Sequence, residues 1–250
     1  MNAMKADMKV TFYKAGKADA ILIKSQGHAA LIDAGLEKNA GSLSRKMKTR
    51  LLDALIVTHY DKDHIGGAGH ILERMEVDNV YVTFPDRQHP EPLDFNKACQ
   101  RKKILPQIVD KDFSFTLGGA LLEIYAAKES YTEFPSNNSS LIVRATCCGA
   151  RFLFLADAQS ARIREFIDGH DVACDVLKVP YHGHMQEELP RLAQLSQARH
   201  AVITNGDNEP SRREIEQTAA LLMDYGMLVH ETRRGNVTVL VRDGQIIIKH

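Results

Sequence analysis

Three short runs rich in β-branched and aromatic residues open the chain: VTFY at 10–13, DAILIK at 19–24 and HAALID at 28–33. Their length and alternation predict consecutive strands. Apolar positions then recur at helical spacing. Leu43, Met47 and Leu51 fall on one face of a helix predicted over 41–53, with Ser42 as its cap. The apolar run ALIVTH at 54–59 reads as a buried strand that ends in polar residues. Gly66-Gly67 leads into a second helix with Ile71, Leu72 and Met75 as its apolar side, and NVYVTFP at 79–85 returns to strand. Residues 85–112 break the pattern. They hold four of the eight prolines, many charges and one short predicted helix around 94–103, a composition suited to a binding loop or lid.

The second half repeats the grammar. Strands are predicted near 113–117, 120–127, 139–147 and 151–156, then a helix over 159–168 and a strand over 174–179. A helix near 186–197, a strand at 200–205 and a helix at 211–225 follow. Strands near 227–231, 236–242 and 245–249 close the chain, the last two joined by the hairpin signal Asp243-Gly244. Strand-rich halves punctuated by helices predict an α/β (α+β) chain with two packed sheets and helices outside, a four-layer αββα sandwich. No linker, short repeat or low-complexity segment interrupts it, so residues 1–250 read as a single domain.

Composition agrees with a globular protein: 44% hydrophobic and 26% charged residues suffice for a sizeable core. No apolar stretch is long enough for a signal peptide or membrane span, so the expectation is a soluble, cytoplasmic protein with no membrane partner. Its 32 basic and 32 acidic residues cancel, which argues against strong nonspecific nucleic-acid binding. The clusters Lys46–Lys48–Arg50 and Arg101–Lys102–Lys103 read as solvated faces before they read as phosphate tracks. Cys99, Cys147, Cys148 and Cys174 contain no CxxC pair and are expected to be free thiols.

Chemistry concentrates at His59-Tyr60-Asp61-Lys62-Asp63-His64, directly after the apolar strand. Four potential metal ligands lie within six residues, and a strand end followed by a tight loop can turn them toward one point. Imidazole nitrogen and carboxylate oxygen suit zinc, manganese or iron. The bland alternative is a polar loop of solvated charges. No GxSxG and no phosphate-binding Gly-Lys-Ser/Thr loop occurs, which leaves serine hydrolase and nucleoside triphosphatase readings without support.

THYDKDHIGG resembles the HxHxDH signature of the metallo-β-lactamase superfamily in its HxDxDH form, the form of the ComEC-type hydrolase domains. Further motifs fall in the same order. Gly16-Lys17-Ala18-Asp19-Ala20 resembles GxGDA, Leu31-Ile32-Asp33-Ala34-Gly35 resembles LIDxG, and Asn137-Asn138-Ser139-Ser140-Leu141 resembles NNxSL. Phe154-Leu155-Ala156-Asp157-Ala158 is similar to LxxGDA, and Leu177-Lys178-Val179-Pro180-Tyr181-His182-Gly183-His184 to LKVPHHGS.

This resemblance implies two divalent metal ions, zinc or manganese with iron as an option, holding a hydroxide between them. His59 and Asp61 would ligate one metal, Asp63 and His64 the other, with Asp157 bridging and His182 completing the second site. Asp33 would orient a ligand through a hydrogen bond, or else cap a turn before Gly35. Asn138, with Asn137 beside it, stands where the family's third-motif histidine would fall and is the replacement ligand. Ala18 and Ala156 replace glycines, a change tolerated where φ is negative. Tyr181 and His184 replace the outer members of the HHGS group. Asp63, Tyr181 and His184 are the candidate catalytic residues, the last two for leaving-group protonation or phosphate contact, and His184 is also an alternative to His182 as ligand.

The implied function is hydrolysis of phosphodiester bonds, in a nucleic acid or a small nucleotide, by a phosphodiesterase or nuclease. The alternatives are a thioester- or lactone-type acyl hydrolase and a degenerate metal-binding module without catalysis. Oligomeric state is left open. His28, His70, His89, His170, His200, His230 and His250 lie outside the motifs and read as surface or structural, although His230 sits near a strand end that could approach the site.

Overall fold

The computed structural model describes residues 6–85, 93–128, 130–207 and 210–250. His89 and the rest of 86–92 lie outside the described residues. The first half runs β1 (Met8–Phe12), β2 (Ile21–Ser25), β3 (His28–Ile32), α1 (Glu37–Met47), β4 (Leu51–Val57), α2 (Lys62–Ile65), α3 (Ala68–Arg74), β5 (Glu76–Val82), α4 (Leu93–Lys102) and β6 (Gln107–Ile108). The second begins with β7 (Phe113–Leu117), β8 (Ala120–Tyr125), α5 (Pro135–Asn138), β9 (Ile142–Cys147), β10 (Ala150–Phe154), α6 (Ser160–Gly169) and β11 (Val176–Lys178). After a 3-10 turn at Pro180–Gly183 come α7 (Leu189–Ser196), β12 (His200–Ile203), α8 (Arg212–Asp224), β13 (Leu228–Glu231), β14 (Val237–Arg242) and β15 (Gln245–Lys249).

Two sheets result, in the orders β15-β14-β1-β2-β3-β4-β5-β6 and β13-β12-β11-β10-β9-β8-β7. Sequential neighbours make the antiparallel pairs apart from the long-range pair of β1 with β14, whereas β3 through β6 and β10 through β13 run parallel. Parallel neighbours need crossovers, and the helices supply them. That is why β4 reads LLDALIV rather than alternating: its outer face meets helices and its inner face meets the other sheet.

Three apolar cores mark four layers. One lies between the sheets and includes Phe12, Ile23, Ile56, Phe152, Phe154 and Val239. A second joins the first sheet to α1, α3 and α4 through Leu43, Leu55, Ile71, Leu72 and Phe95. The third joins the other sheet to α6, α7 and α8 through Leu153, Phe166, Leu177, Leu192 and Leu222. The chain is thus an αββα sandwich. All four cysteines are free.

Two expectations need correction. The helix predicted over 41–53 begins one turn earlier, at Glu37, and ends at Met47, where Lys48 takes a left-handed φ of 50°. Ser42 is therefore interior to α1, and Leu36 stands at its cap position. Leu51 and Leu52 belong to β4, paired with Glu76 and Val77, because sheet burial outcompetes a helical spacing that three residues happened to share. The ligand loop is also not wholly irregular, since Asp63 and His64 sit on the single turn α2.

Phe12 and Phe154 meet across the two sheets with ring centroids 5.9 Å apart, and both are buried. Phe12→Ala is expected to cost about 3–5 kcal/mol, the usual range for emptying a large core position, read as a lowered midpoint in urea unfolding.

Candidate metal centre

Parallel strands leave their carboxyl ends on one side of each sheet, and the chemistry collects there. Asp33 follows β3, Thr58 and His59 follow β4, Ala156 and Asp157 follow β10, His182 follows β11 and Thr204 follows β12. Asp19 enters from the loop before β2, whose antiparallel pairing with β3 brings it to the same end. Gly66 and Gly67 let α2 and α3 approach this loop cluster. A Cβ on Gly67 would lie 2.3 Å from the carbonyl oxygen of Ala34, so no side chain fits.

Asp63, His64, Asp157 and His182 converge, each offering one ligand atom within 4.8 Å of the others. His64 Nε2 lies 3.3 Å from Asp157 Oδ1, and His182 Nε2 lies 3.3 Å from both Asp63 Oδ2 and Asp157 Oδ2. His59 joins through its ring, 4.0 Å from that of His64, and its Nε2 is 3.7 Å from Asp61 Oδ2. Six of the residues named from sequence are therefore brought together.

The opposite ring nitrogens explain the aim. His64 Nδ1 donates to Asp33 Oδ2 at 2.7 Å, and Asp33 is itself fixed by the Thr58 amide at 2.8 Å and hydroxyl at 2.7 Å. Asp33 thus fixes the His64 ring, the contact that the expected orienting role requires. His182 Nδ1 donates to the Thr204 carbonyl at 2.8 Å. His59 Nδ1 lies 3.1 Å from the Thr58 hydroxyl, and Ser136 donates to Asp61 Oδ1. Fixing the far nitrogen of each ring turns Nε2 inward, the support that metal-ligating histidines require. His59 Nε2, His64 Nε2, His182 Nε2 and Asp157 Oδ1 are buried there with no hydrogen-bond partner. Such atoms are costly unless something binds them, and three imidazoles with a carboxylate are the donors that divalent cations take.

Asn138 is placed otherwise. Its side-chain oxygen accepts from the backbone amides of Gln159 at 3.1 Å and Arg162 at 3.3 Å, and its amide nitrogen donates to the Glu133 carbonyl at 2.8 Å. The oxygen is occupied at the start of α6 and the nitrogen by the loop before α5, so the ligand role expected of it has no free atom. His184 does not join the cluster either; its Nδ1 is 3.1 Å from Glu214 Oε2, while its ring packs on Tyr181 at 4.7 Å. His230 is drawn into contact with His200 and His250 on the β13 edge.

Asp19 and Lys178 carry more than their motifs disclosed. Both are fully buried, and the Lys178 ammonium sits against Asp19 Oδ2 while donating to the Ala156 carbonyl at 2.7 Å. The contact with Asp19 is electrostatic, since neither oxygen of that carboxylate has an aligned hydrogen bond. Asp19 also lies 3.7 Å from His182 Nδ1 and 3.9 Å from His64 Nδ1. A charged pair inside an otherwise apolar motif was the available signal.

Burial alone would lower the two imidazoles, yet Asp157 and Asp33 raise His64 well above its usual value. Asp157, Asp63 and Asp19 likewise overcome burial and raise His182 to about 9. Burial would raise the carboxyls, but His182 and His64 hold Asp63 down to about 2 and Asp157 well below the carboxylate range.

A family model described as the metallo-beta-lactamase superfamily matches residues 13–206. ComE operon protein 3 of Bacillus subtilis (strain 168) is 24% identical over 182 residues, 72% of this chain and 23% of that protein, so the chain spans about a quarter of its curated relative. Among solved structures, the metallo-beta-lactamase fold protein YhfI from Bacillus subtilis is 16% identical with a TM-score of 0.57, covering 90% of this chain and 96% of that one. CmlA, a diiron β-hydroxylase from Streptomyces venezuelae, is 12% identical with a TM-score of 0.63, covering 95% of this chain and 55% of that one. At these identities the structural likeness concerns the fold. Among the described residues no helix is long and apolar enough to cross a membrane.

Two predictions follow from the geometry. Ala156 takes a φ of 48°, outside the negative range in which alanine replaces glycine without strain, a conformation costing a side chain roughly 1–2 kcal/mol. After the unfolded-state entropy of glycine is subtracted, Ala156→Gly should stabilise the protein by about 1 kcal/mol in denaturant titration. Second, raised histidines hold protons at pH 7 that a cation must displace. Metal uptake by chelator-stripped protein should therefore release protons, and apparent affinity should rise with pH from 7 through about 9, where His182 is half-deprotonated. Calorimetric titrations in buffers of different ionisation enthalpy would count those protons.

Proposed function

The chain belongs to the metallo-beta-lactamase superfamily, and from that premise we propose a metal-dependent hydrolase of phosphodiester bonds, in a nucleic acid or nucleotide, that works with two divalent cations. The observation carrying this reading is the convergence of the buried, unpartnered Nε2 atoms of His64 and His182 on Asp157, with the His59 ring 4.0 Å from that of His64 and its own Nε2 buried without a partner. Charge supports it. Asp19, Asp33, Asp61, Asp63 and Asp157 gather about the His59, His64 and His182 cluster, with the Lys178 ammonium against Asp19 and 3.7 Å from Asp157; once the imidazoles are neutral this leaves four formal negative charges, the complement of two divalent ions.

Divalent cations held there supply Lewis acidity and make water a usable nucleophile at neutral pH. His59, Asp61 and Asp157 would hold one, and Asp63, His64, Asp157 and His182 the other. Their oxygen content suits manganese and iron as well as zinc. Asp33 and Thr204 keep the His64 and His182 rings from turning, so donor positions do not reorganise as charge develops on the attacked group. Tyr181 and His184, within two residues of His182 and with rings 4.7 Å apart in a tilted pair, would contact a phosphoryl oxygen or protonate the leaving group. Lys17 lies 5.4 Å over the Tyr181 ring and adds positive charge suited to an anionic substrate. The oxygen-rich donor set and the likeness to ComEC-type domains favour phosphoryl over acyl substrates.

Protein reconstituted with manganese should cleave a bis-aryl phosphate and leave a thioester reporter intact. At matched metal loading, Asp63→Ala and Asp157→Ala should each lower turnover by at least about a hundredfold. Thioester turnover without phosphodiester cleavage would reject the substrate class. Full activity in both variants would reject the site.

A further inference from the structure

On the flank away from the clustered carboxylates, three histidines from three strands form a ladder. His200 opens β12, His230 lies in β13, and His250 directly follows β15. His200 Nδ1 is 3.2 Å from His230 Nε2, and His230 Nδ1 is 3.2 Å from His250 Nε2. Successive ring centroids are 5.4 and 5.2 Å apart.

Strand register explains why they meet. β13 and β15 are the edge strands of the two different sheets. His230 is paired with Val202, whose side chain faces the inter-sheet core, so His230 and His200 point inward too. On β15, Ile246 and Ile248 pack against that same core, and His250 continues their face at the two-residue period. The ladder therefore closes the open edge of the sandwich with imidazole.

We propose that His230 Nδ1 and His250 Nε2 form a further cation site, for a borderline transition metal such as nickel, zinc or copper(II), distinct from the hydrolytic centre. Nitrogens each about 2.05 Å from one metal stand about 2.9 Å apart at a right angle and about 3.4 Å apart at the tetrahedral angle; the observed 3.2 Å lies between. His200 completes the arrangement as the orienting partner. With the His230 Nε2–H donating to His200 Nδ1, the lone pair at His230 Nδ1 faces His250, the hydrogen-bonding pattern that ligating histidines use. Partial burial and the two flanking rings hold His230 down to about 4, so its neutral, ligating form prevails at pH 7. His250 is exposed, which leaves room for water to fill the remaining coordination positions. A cation bound there would clip one sheet edge to the other.

Nickel titration of protein preloaded with manganese tests this. Wild type should bind one equivalent of nickel that His250→Ala and His230→Gln both lose, with hydrolysis unchanged in His250→Ala. His200→Ala should weaken nickel binding by about tenfold or more. The copper(II) form should show two nitrogen ligands by electron paramagnetic resonance, and nickel should raise the wild-type thermal midpoint only. Equal nickel binding by wild type and His250→Ala, or no nickel binding by wild type, would overturn the site. Loss of nickel binding only when Asp157 is replaced would assign the metal to the hydrolytic centre and overturn it equally.

Discussion

Carboxylates crowded together repel one another, and this fold keeps five of them about one histidine cluster, with the buried Lys178 ammonium against Asp19 and near Asp157. Lys178 comes from β11 in one sheet and Asp19 from the loop before β2 in the other, so their contact ties the two sheets together beneath the ligands. A buried pair of this kind gains little net stability, because desolvation consumes most of the attraction. Its consequence is positional. Lys178 also holds the Ala156 carbonyl next to Asp157, and Asp19 lies behind both His64 and His182. One ammonium cannot neutralise the whole cluster, so the remaining charge is left for bound cations.

Backbone strain gathers at the same place. Asp33, Ala156, Tyr181 and His182 all have positive φ, and each belongs to the converging cluster, orients a member of it or neighbours one. Left-handed non-glycine residues persist only where their surroundings overdetermine them. Here the Asp33 amide donates to Ile56 and the Tyr181 amide to Ala156, so each strained residue is stitched to a neighbouring strand end. Gly183 completes the turn because a Cβ there would fall 2.8 Å from Ile203. The tight reversal brings His182 back over Asp63 and Asp157 instead of letting it follow the line of β11.

Strand positions and the αββα layering were legible because burial on both faces writes continuous apolar runs such as ALIV, and those runs are long. The edge between α1 and β4 was not, since Leu43, Met47 and Leu51 fit a helix until Lys48 turns left-handed. Four of the six converging side chains could be read together, as HYDKDH holds His59, Asp61, Asp63 and His64 within six residues. The groups that aim them were harder. Asp19 and Lys178 are 159 residues apart, and only the pairing of β2 with β3 and of β10 with β11 brings them into contact. Asn138 misled for a related reason: an asparagine beside a ligand loop has the donor atoms of a ligand, but it also has those of a helix cap, and sequence alone does not show which backbone amides are within reach.

That use of Asn138 makes the two halves of the centre unequal. Asp63, His64, Asp157 and His182 already surround one position with two imidazoles and two carboxylates, a full set for a four-coordinate ion. The other half has His59 and Asp61 with a share of Asp157, and the residue standing where a third group belongs is occupied in starting α6. Asp61 is also partly exposed and shared with the Ser136 hydroxyl, whereas Asp157 is buried between His64 and His182. Fewer, more solvated donors mean weaker retention and more open coordination. In the proposed two-cation centre, the half that would hold its ion less firmly would therefore be the half with room for substrate, which follows from how α6 is capped.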